Sequence, residues 1–305
     1  MKIFVTGGMG FIGHHLVSSL LQEKNKVTIY DNLKNSLNEN VTLLKEQGAK
    51  FVKGDIDNYK LLLKSITGFD LTIHLAAEID VQESIRFPEH THQVNVTGTL
   101  NLLRACVAKR VKNVIAPSSA AVYGNQNDLP ISENSQTIPI SPYGATKLTM
   151  EHYLQAFANS YDLNCISLRL FNVYGIGQSD TYAGVITRFM KNIKKKKPLI
   201  IFGDGSNTRD FVSIEDVTSA FKKSIKKIEG SKGNAYNIAS GKYVSIKELA
   251  ELMLEISDTK LPILYKKERK GDIKNSQVSI WLAKKYIGYI PKVELRQGLQ
   301  KLLKI

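Results

Sequence analysis

Cysteine is nearly missing from this chain of 305 residues: there are two, Cys106 and Cys165, far apart and each inside an apolar run. That excludes a disulfide framework and predicts two buried free thiols, the state expected in a reducing compartment. Long apolar runs are missing as well. No stretch approaches the ~18 residues that a membrane-spanning helix needs. Met1-Lys2 passes directly into Ile3-Phe4-Val5 and a run of glycines, without the apolar region or cleavage site of a secretory leader. The expectation is a cytoplasmic protein with no membrane association. Glycine and proline are at ordinary levels and 23% of residues are charged, so nothing calls for a long disordered segment. His14-His15 and the pair His90 and His92 lack cysteine or carboxylate partners at ligand spacing, which argues against a metal site. Acidic residues number 28 against 42 lysines and arginines, a formal net charge of +14. The lysines are dispersed, apart from Lys194 to Lys197 before Pro198, where cations complement the end of a helix. No aromatic interleaving or nucleic-acid motif accompanies that run. The excess reads as a solvated surface, with mild steering of anions as the alternative, and not as a nucleic-acid-binding face.

What is present is a large apolar fraction, 43%, enough for a substantial core in one large domain or two small ones. Lys2 to Val5 reads as a buried strand. It is followed at once by Thr6-Gly7-Gly8-Met9-Gly10-Phe11-Ile12-Gly13, and helical periodicity then begins at Phe11. The spacing G-x-x-G-x-x-G differs from the commoner G-x-G-x-x-G, but the physics is the same. Glycines allow a tight turn, a close approach of backbone to a pyrophosphate, and tight packing of helix on strand. A second strand, Lys26 to Tyr30, ends at Asp31. An acid at that place binds the ribose hydroxyls of adenosine and repels the 2′-phosphate of NADP.

Strands and helices keep alternating. Strands are expected at Lys50 to Val52, Leu71 to Ala76, Asn113 to Ala116 and Asn164 to Leu170, and helices at Thr91 to Ala108 and from Tyr143 to about Tyr161. Such alternation means a parallel, doubly wound sheet, with ligands beyond the carboxyl ends of its strands. Ser118, Ser119 and Asn172 all follow strand ends. Beyond Asn172 the alternation weakens: helices are expected at Val185 to Lys196, Glu215 to Lys227 and Ile246 to Ile256, and strands at Leu199 to Phe202 and Ala235 to Ala239. A smaller lobe fits this region better than a second independent domain.

Ser141-Pro142-Tyr143-Gly144-Ala145-Thr146-Lys147 sets a tyrosine and a lysine four residues apart at the mouth of a helix, hence on one helical face. An ammonium beside a phenol favours the phenolate and lowers a pKa that begins near 10. The pair therefore has the makings of a general base. Alone, Tyr-x-x-x-Lys is equally a surface lysine beside a half-buried tyrosine.

Together, Thr6 to Gly13, Asp31, Ser118-Ser119 and Tyr143-x-x-x-Lys147 resemble the extended short-chain dehydrogenase/reductase family over essentially the whole chain. Asp31-Asn32-Leu33, His74-Leu75-Ala76-Ala77, Asn95-Val96-Thr97-Gly98-Thr99, Phe171 to Gly175, Gly203 to Val212 and Arg269-Lys270-Gly271-Asp272 resemble its NAD-dependent sugar-nucleotide epimerase/dehydratase branch. The resemblance implies a Rossmann-type NAD-binding domain at 1–171, to which segments around 205–240 return, and a smaller C-terminal α/β substrate-binding lobe mainly at 172–305. It implies that Gly7, Gly10, Phe11, Ile12 and Gly13 hold the NAD pyrophosphate, Asp31 and Asn32 the adenosine ribose, and Asp55 and Ile56 the adenine. Leu75, Ala76, Ala77, Asn95, Tyr143 and Lys147 would line the rest of the cofactor. Ser119, Tyr143, Asn172, Arg209, Arg269, Asp272 and Ser276 would meet the substrate, the arginines at its diphosphate. Relatives commonly dimerise through the helices that here span Thr91 to Ala108 and Tyr143 to Tyr161, so a homodimer is implied.

Within that branch, dehydratases carry an Asp-Glu pair directly after the serine, and decarboxylating relatives keep a glutamate at the second of those places. Here they are Ala120 and Ala121, which cannot move protons. A 4-epimerase asks for one base, one hydroxyl and a hydride acceptor. The expectation is an enzyme that inverts C4 of a UDP-hexose through a 4-keto sugar, with Ser119, Tyr143 and Lys147 catalytic and NAD tightly bound and regenerated each turnover. Ser276, four residues past Asp272, stands where a bulky tyrosine would restrict relatives to plain hexoses, so N-acetylhexosamines are expected to fit. A keto-sugar reductase, an epimerase acting at another carbon and a non-enzymatic NAD-sensing protein are the alternatives.

Overall fold

The computed structural model describes residues 1–36, 38–178, 184–268 and 274–304. The chain opens with β1 (Lys2–Thr6), α1 (Phe11–Gln22), β2 (Lys26–Asp31), α2 (Asn38–Glu46), β3 (Lys50–Lys53), α3 (Tyr59–Ser65) and β4 (Leu71–His74). Two short helices, α4 (Val81–Arg86) and α5 (Pro88–His92), pass through a π turn (Gln93–Thr97) into α6 (Gly98–Lys109). Then come β5 (Asn113–Ser119), α7 (Pro142–Ser160) and β6 (Asn164–Leu170). Shorter elements follow: β7 (Asn172–Tyr174), α8 (Val185–Lys194), β8 (Leu199–Phe202), β9 (Thr208–Arg209), β10 (Phe211–Ser213), α9 (Ile214–Lys226) and β11 (Lys232–Ile238). The chain ends with β12 (Val244–Ser245), α10 (Ile246–Ile256), β13 (Ile263–Lys266), a second π turn (Ala283–Ile287) and α11 (Leu295–Leu303).

Seven strands form one sheet in the order β11-β6-β5-β4-β1-β2-β3, and every pairing is parallel. Parallel strands are covered on both faces, and their side chains divide accordingly. On one face Ile3, Val5, Ile29, Ile73 and Ile115 pack beneath α1 and α9; on the other Phe4, Tyr30, Val114 and Ala116 pack beneath α3, α6 and α7. The strand order reverses direction between β1 and β4, which opens a crevice at their carboxyl ends. A third cluster, with Ile186, Phe189, Leu199, Ile201, Leu249, Met253 and Leu299, forms the core of the later elements.

Three segments differ from the periodicity of the sequence, each for a local reason. Strand β5 runs on through Pro117 to Ser119, pairing Pro117 with Leu168 of β6, so this proline lies in a strand and not in a turn. Its other neighbour, β4, pairs only as far as Ile115, so the missing N–H interrupts no ladder there. Strand β4 ends at His74, opposite Thr6, the last residue of β1, and the Ala76 N–H then donates to the Thr6 hydroxyl (3.3 Å). The helix expected from Thr91 to Ala108 is interrupted by the π turn, a wider turn of the kind that often marks a functional region.

Candidate active site

The carboxyl ends of β1, β4 and β5 meet a cavity of about 850 Å³. Its first wall is the glycine turn. Gly7 has φ +67, and a Cβ there would lie 2.4 Å from the Ala76 backbone nitrogen; one on Gly13 would lie 2.5 Å from the Gly7 carbonyl. Gly10 is the N-cap of α1 and brings no side chain to bond the first N–H groups. Free N–H groups and the positive end of the helix dipole suit an anion at this cradle, so the residues present fit the pyrophosphate of a dinucleotide. Phe11 and Ile12 line the cavity beside them. The Asp31 carboxylate, at the end of β2, accepts the backbone N–H groups of Met9 (2.9 Å) and Leu33 (2.8 Å), tying the turn to the next strand. Two further acceptor positions remain on it for hydroxyl groups. Asn32 donates to the Asp55 carboxylate (2.9 Å), which brings those two together. The Ile56 side chain, by contrast, is buried against Gly98.

The second wall holds the candidate base. Ser141 caps α7 through Gly144 (3.1 Å) with Pro142 at the first helical position, and the Tyr143 N–H donates to the Ser84 hydroxyl (3.1 Å) of α4. Tyr143 and Lys147 line the cavity together with Leu75, Ala77, Ser118 and Ser119. The Lys147 ammonium donates to the Pro117 carbonyl (3.0 Å) and stands 6.0 Å from the centre of the Tyr143 ring. Ser119 accepts the Ala121 N–H (3.1 Å).

The electrostatics correct the expectation drawn from spacing. Tyr143 is not lowered: burial pushes its phenol up, and a side-chain hydrogen bond with Ser119 pulls it part of the way back. Burial also brings Lys147 down to about 8, partly opposed by the carboxylate of Glu151. Desolvation of both groups outweighs their mutual effect. His74, at the end of β4, is pushed down to about 3 by burial and by the Lys147 charge, and so stays neutral. It bridges Thr6 (2.7 Å) and Thr99 (3.0 Å).

Asn95 does not line this cavity. Its amide is occupied by the Glu78 backbone N–H (2.8 Å), the Glu78 carbonyl (2.9 Å) and the Thr146 hydroxyl (3.0 Å). From the π turn it clamps the loop after β4 to α7. Glu78 itself pairs with Lys34 (2.7 Å).

The third wall comes from the later elements. The Asn172 amide donates to the Asp210 carbonyl (2.9 Å), and Arg209 lies beside it on β9. Arg209 donates to the Thr208 carbonyl (2.8 Å), one Asp210 oxygen accepts the Ser240 N–H and hydroxyl (2.7 and 2.8 Å), and Asp216 accepts the N–H groups of Lys292 (2.8 Å) and Val293 (3.1 Å). Ser276 is buried and its N–H donates to the Thr208 hydroxyl (3.3 Å), one residue behind Arg209 and off the cavity wall. Arg269 and Asp272 lie outside the described residues. The sequence reading did not foresee the wall made by α8 and β8, where Val185, Phe189, Asn192 and Ile200 to Phe202 face the cavity. The amphipathic pattern of α8 carried the signal, but it looks the same for a helix that merely covers a core.

Comparison with known proteins agrees with this geometry. The NAD dependent epimerase/dehydratase family matches residues 3–239. The UDP-glucose 4-epimerase of Mycolicibacterium smegmatis is 34% identical over 306 residues, covering 99% of this chain and 97% of that protein. Two solved structures superpose with a TM-score of 0.94 at 34% identity. One is the UDP-N-acetylglucosamine 4-epimerase of Methanobrevibacter ruminantium in complex with UDP-N-acetylmuramic acid, covering 99% of this chain and 97% of that one. The other is the UDP-glucose 4-epimerase of Thermotoga maritima with UDP-glucose, covering 100% and 98%. The chain belongs to the NAD dependent epimerase/dehydratase family, within its branch of nucleotide-sugar 4-epimerases.

Proposed function

We propose that the protein interconverts UDP-glucose and UDP-galactose by inverting C4, and that UDP-N-acetylhexosamines also fit. The observation that carries this reading is the shared cavity. Tyr143, Lys147 and Ser119 face the same space as the glycine turn at one end and Asn172 and Arg209 at the other. Gly7, Gly10 and Gly13, with Asp31 and Asn32 at its adenosine ribose, would hold NAD, which would supply the hydride acceptor for C4. Tyr143 removes the proton of the C4 hydroxyl and returns it, as a positioned base and then acid. Ser119 hydrogen-bonds the same oxygen. Lys147 adds a positive charge beside the phenol. Asn172 and Arg209 hold the diphosphate while the 4-keto sugar turns over, a guanidinium being well shaped for phosphate oxygens. Ala120 and Ala121 leave the site without the acid–base pair an elimination requires. In this reading the enzyme is a cytoplasmic homodimer.

Purified protein given UDP-glucose is expected to form UDP-galactose, followed by NMR, with no NAD added. A requirement for stoichiometric reduced cofactor would sink the epimerase reading and favour a reductase. Ser276 lies close behind Thr208 and Arg209, off the cavity wall, and its small side chain leaves that wall undisturbed where a bulky one would press on it. Ser276→Tyr is expected to lower the rate on UDP-N-acetylglucosamine relative to UDP-glucose by about tenfold or more, the scale on which a pocket discriminates by size. An unchanged ratio removes Ser276 from substrate selection.

A further inference from the structure

Helix α7 carries more than the base. Tyr143, Lys147 and Glu151 recur at four-residue intervals, so they form one stripe along the helix. Lys147 and Glu151 are both buried, and so is Arg169 of β6, which faces them. The Arg169 guanidinium grips the Glu151 carboxylate through Nε (2.9 and 3.2 Å) and Nη2 (2.7 Å). Its Nη1 donates to the Tyr123 hydroxyl (2.8 Å), which donates in turn to Asn237 of β11 (2.6 Å). Arg169 is also in register with Ser118 of β5. The ion pair therefore sits directly behind the strand end that supplies Ser119, and the Lys147 ammonium is bonded to the same strand at Pro117.

We propose that the Glu151–Arg169 pair is a positioning device for Lys147, the fixed carboxylate keeping the buried ammonium charged beside Tyr143. The inference rests on the reading of Lys147 as the cation of the active site. The groups that face Lys147 leave little else to do this. Tyr143 and Glu151 approach from α7. From β4 comes His74, which is neutral; from β5 come the Pro117 carbonyl and two serines, which carry no charge; and Arg169 of β6 stands beyond Glu151. Burial drives Lys147 toward the neutral amine, and Glu151 is the group that opposes it. The three Arg169 hydrogen bonds fix that carboxylate and stop it from turning away.

Glu151→Gln alone strands a buried guanidinium and risks the fold, so the decisive variant is Glu151→Met with Arg169→Met, which removes both charges together. Protein labelled with ¹³C at the lysine ε-carbons is titrated by NMR, with Lys147 identified by its loss from the spectrum of Lys147→Met. The wild-type ammonium is expected to lose its proton near pH 8. In the double variant the midpoint is expected to fall by about one pH unit or more. The sign follows from which form is charged. The ammonium exists below its midpoint, so the alkaline limb of kcat moves down with it, while KM for the nucleotide sugar holds. A pair that only knits α7 to β6 would lower the melting temperature and leave both midpoint and limb in place, and that result overturns the proposal. The NMR titration needs no turnover. A shifted midpoint in a protein without epimerase activity would therefore support the pair's role and count only against the proposed substrate.

Discussion

Replacing Tyr143 by phenylalanine is expected to reduce kcat by about three orders of magnitude while the protein keeps its fold and its NAD. The variant deletes a single oxygen. The ring remains against α4, where the Tyr143 N–H is held by Ser84, and the helix keeps its Ser141 cap. The structural cost is one hydrogen bond, about 1 kcal/mol, which will move the melting temperature by only a few degrees. On the proposed mechanism the chemical cost is the proton acceptor for the C4 hydroxyl, and positioned general bases commonly supply about 10² to 10⁴ in rate. Ser119 cannot take the place of Tyr143, because an unassisted hydroxyl has no affinity for a proton near neutral pH. Activity within tenfold of wild type, measured by UDP-galactose formation, would end the assignment of Tyr143 as base. So would a loss of activity accompanied by loss of bound NAD, since it would mark the phenol as a cofactor contact above all.

Gly7→Ala is expected to abolish activity by a different route. The new methyl group would sit 2.4 Å from the Ala76 nitrogen and 2.6 Å from the Leu75 carbonyl carbon, both backbone atoms at the end of β4. No rotamer can relieve such a contact. Either the glycine turn or the β4 exit must move by about an ångström, and a displacement of that size in a site costs about 10² in rate. The positive φ adds strain for any residue with a Cβ. The purified variant should carry little NAD and melt at a lower temperature. Gly10→Ala is the informative contrast. Its methyl group would meet only the Gly7 carbonyl, at 3.4 Å, and the backbone there is extended. The protein alone accommodates it, so NAD missing from Gly10→Ala registers the approach of the pyrophosphate itself. A Gly7→Ala protein that retains full NAD and activity would show that the turn is not the cradle.

The sequence made the sheet legible because parallel strands are continuous apolar runs, and the glycine turn legible because few other tasks need glycines at that spacing. It made the base legible only as a pair of residue types. Neighbouring positions on a helix suggest that Lys147 lowers Tyr143; the opposite direction appears once burial is known, and burial belongs to the tertiary structure. Asn95 reads as a cofactor contact by resemblance; its ties to Glu78 and Thr146, which come from distant parts of the chain, are visible only in the fold. Arg169 lies in a strand that reads as apolar, and Glu151 on a helix face that reads as exposed. Each makes sense only when β6 is laid against α7. Pro117 looks like a strand ending until one sees that β4 has already stopped pairing beside it.

The edge position of β11 bears on how this molecule is made. Residues 232–238 complete the sheet beside β6, although Asn172 to Ser213 have already left for the other core and returned. During synthesis the outer edge of β6 therefore waits, unpaired, until about three-quarters of the chain has emerged from the ribosome. An uncovered strand edge is a template for pairing with other chains, and a long wait for a distant partner slows folding. The nascent protein is thus most exposed to misassembly between the synthesis of Leu170 and that of Ile238, the interval in which a chaperone would have most to protect.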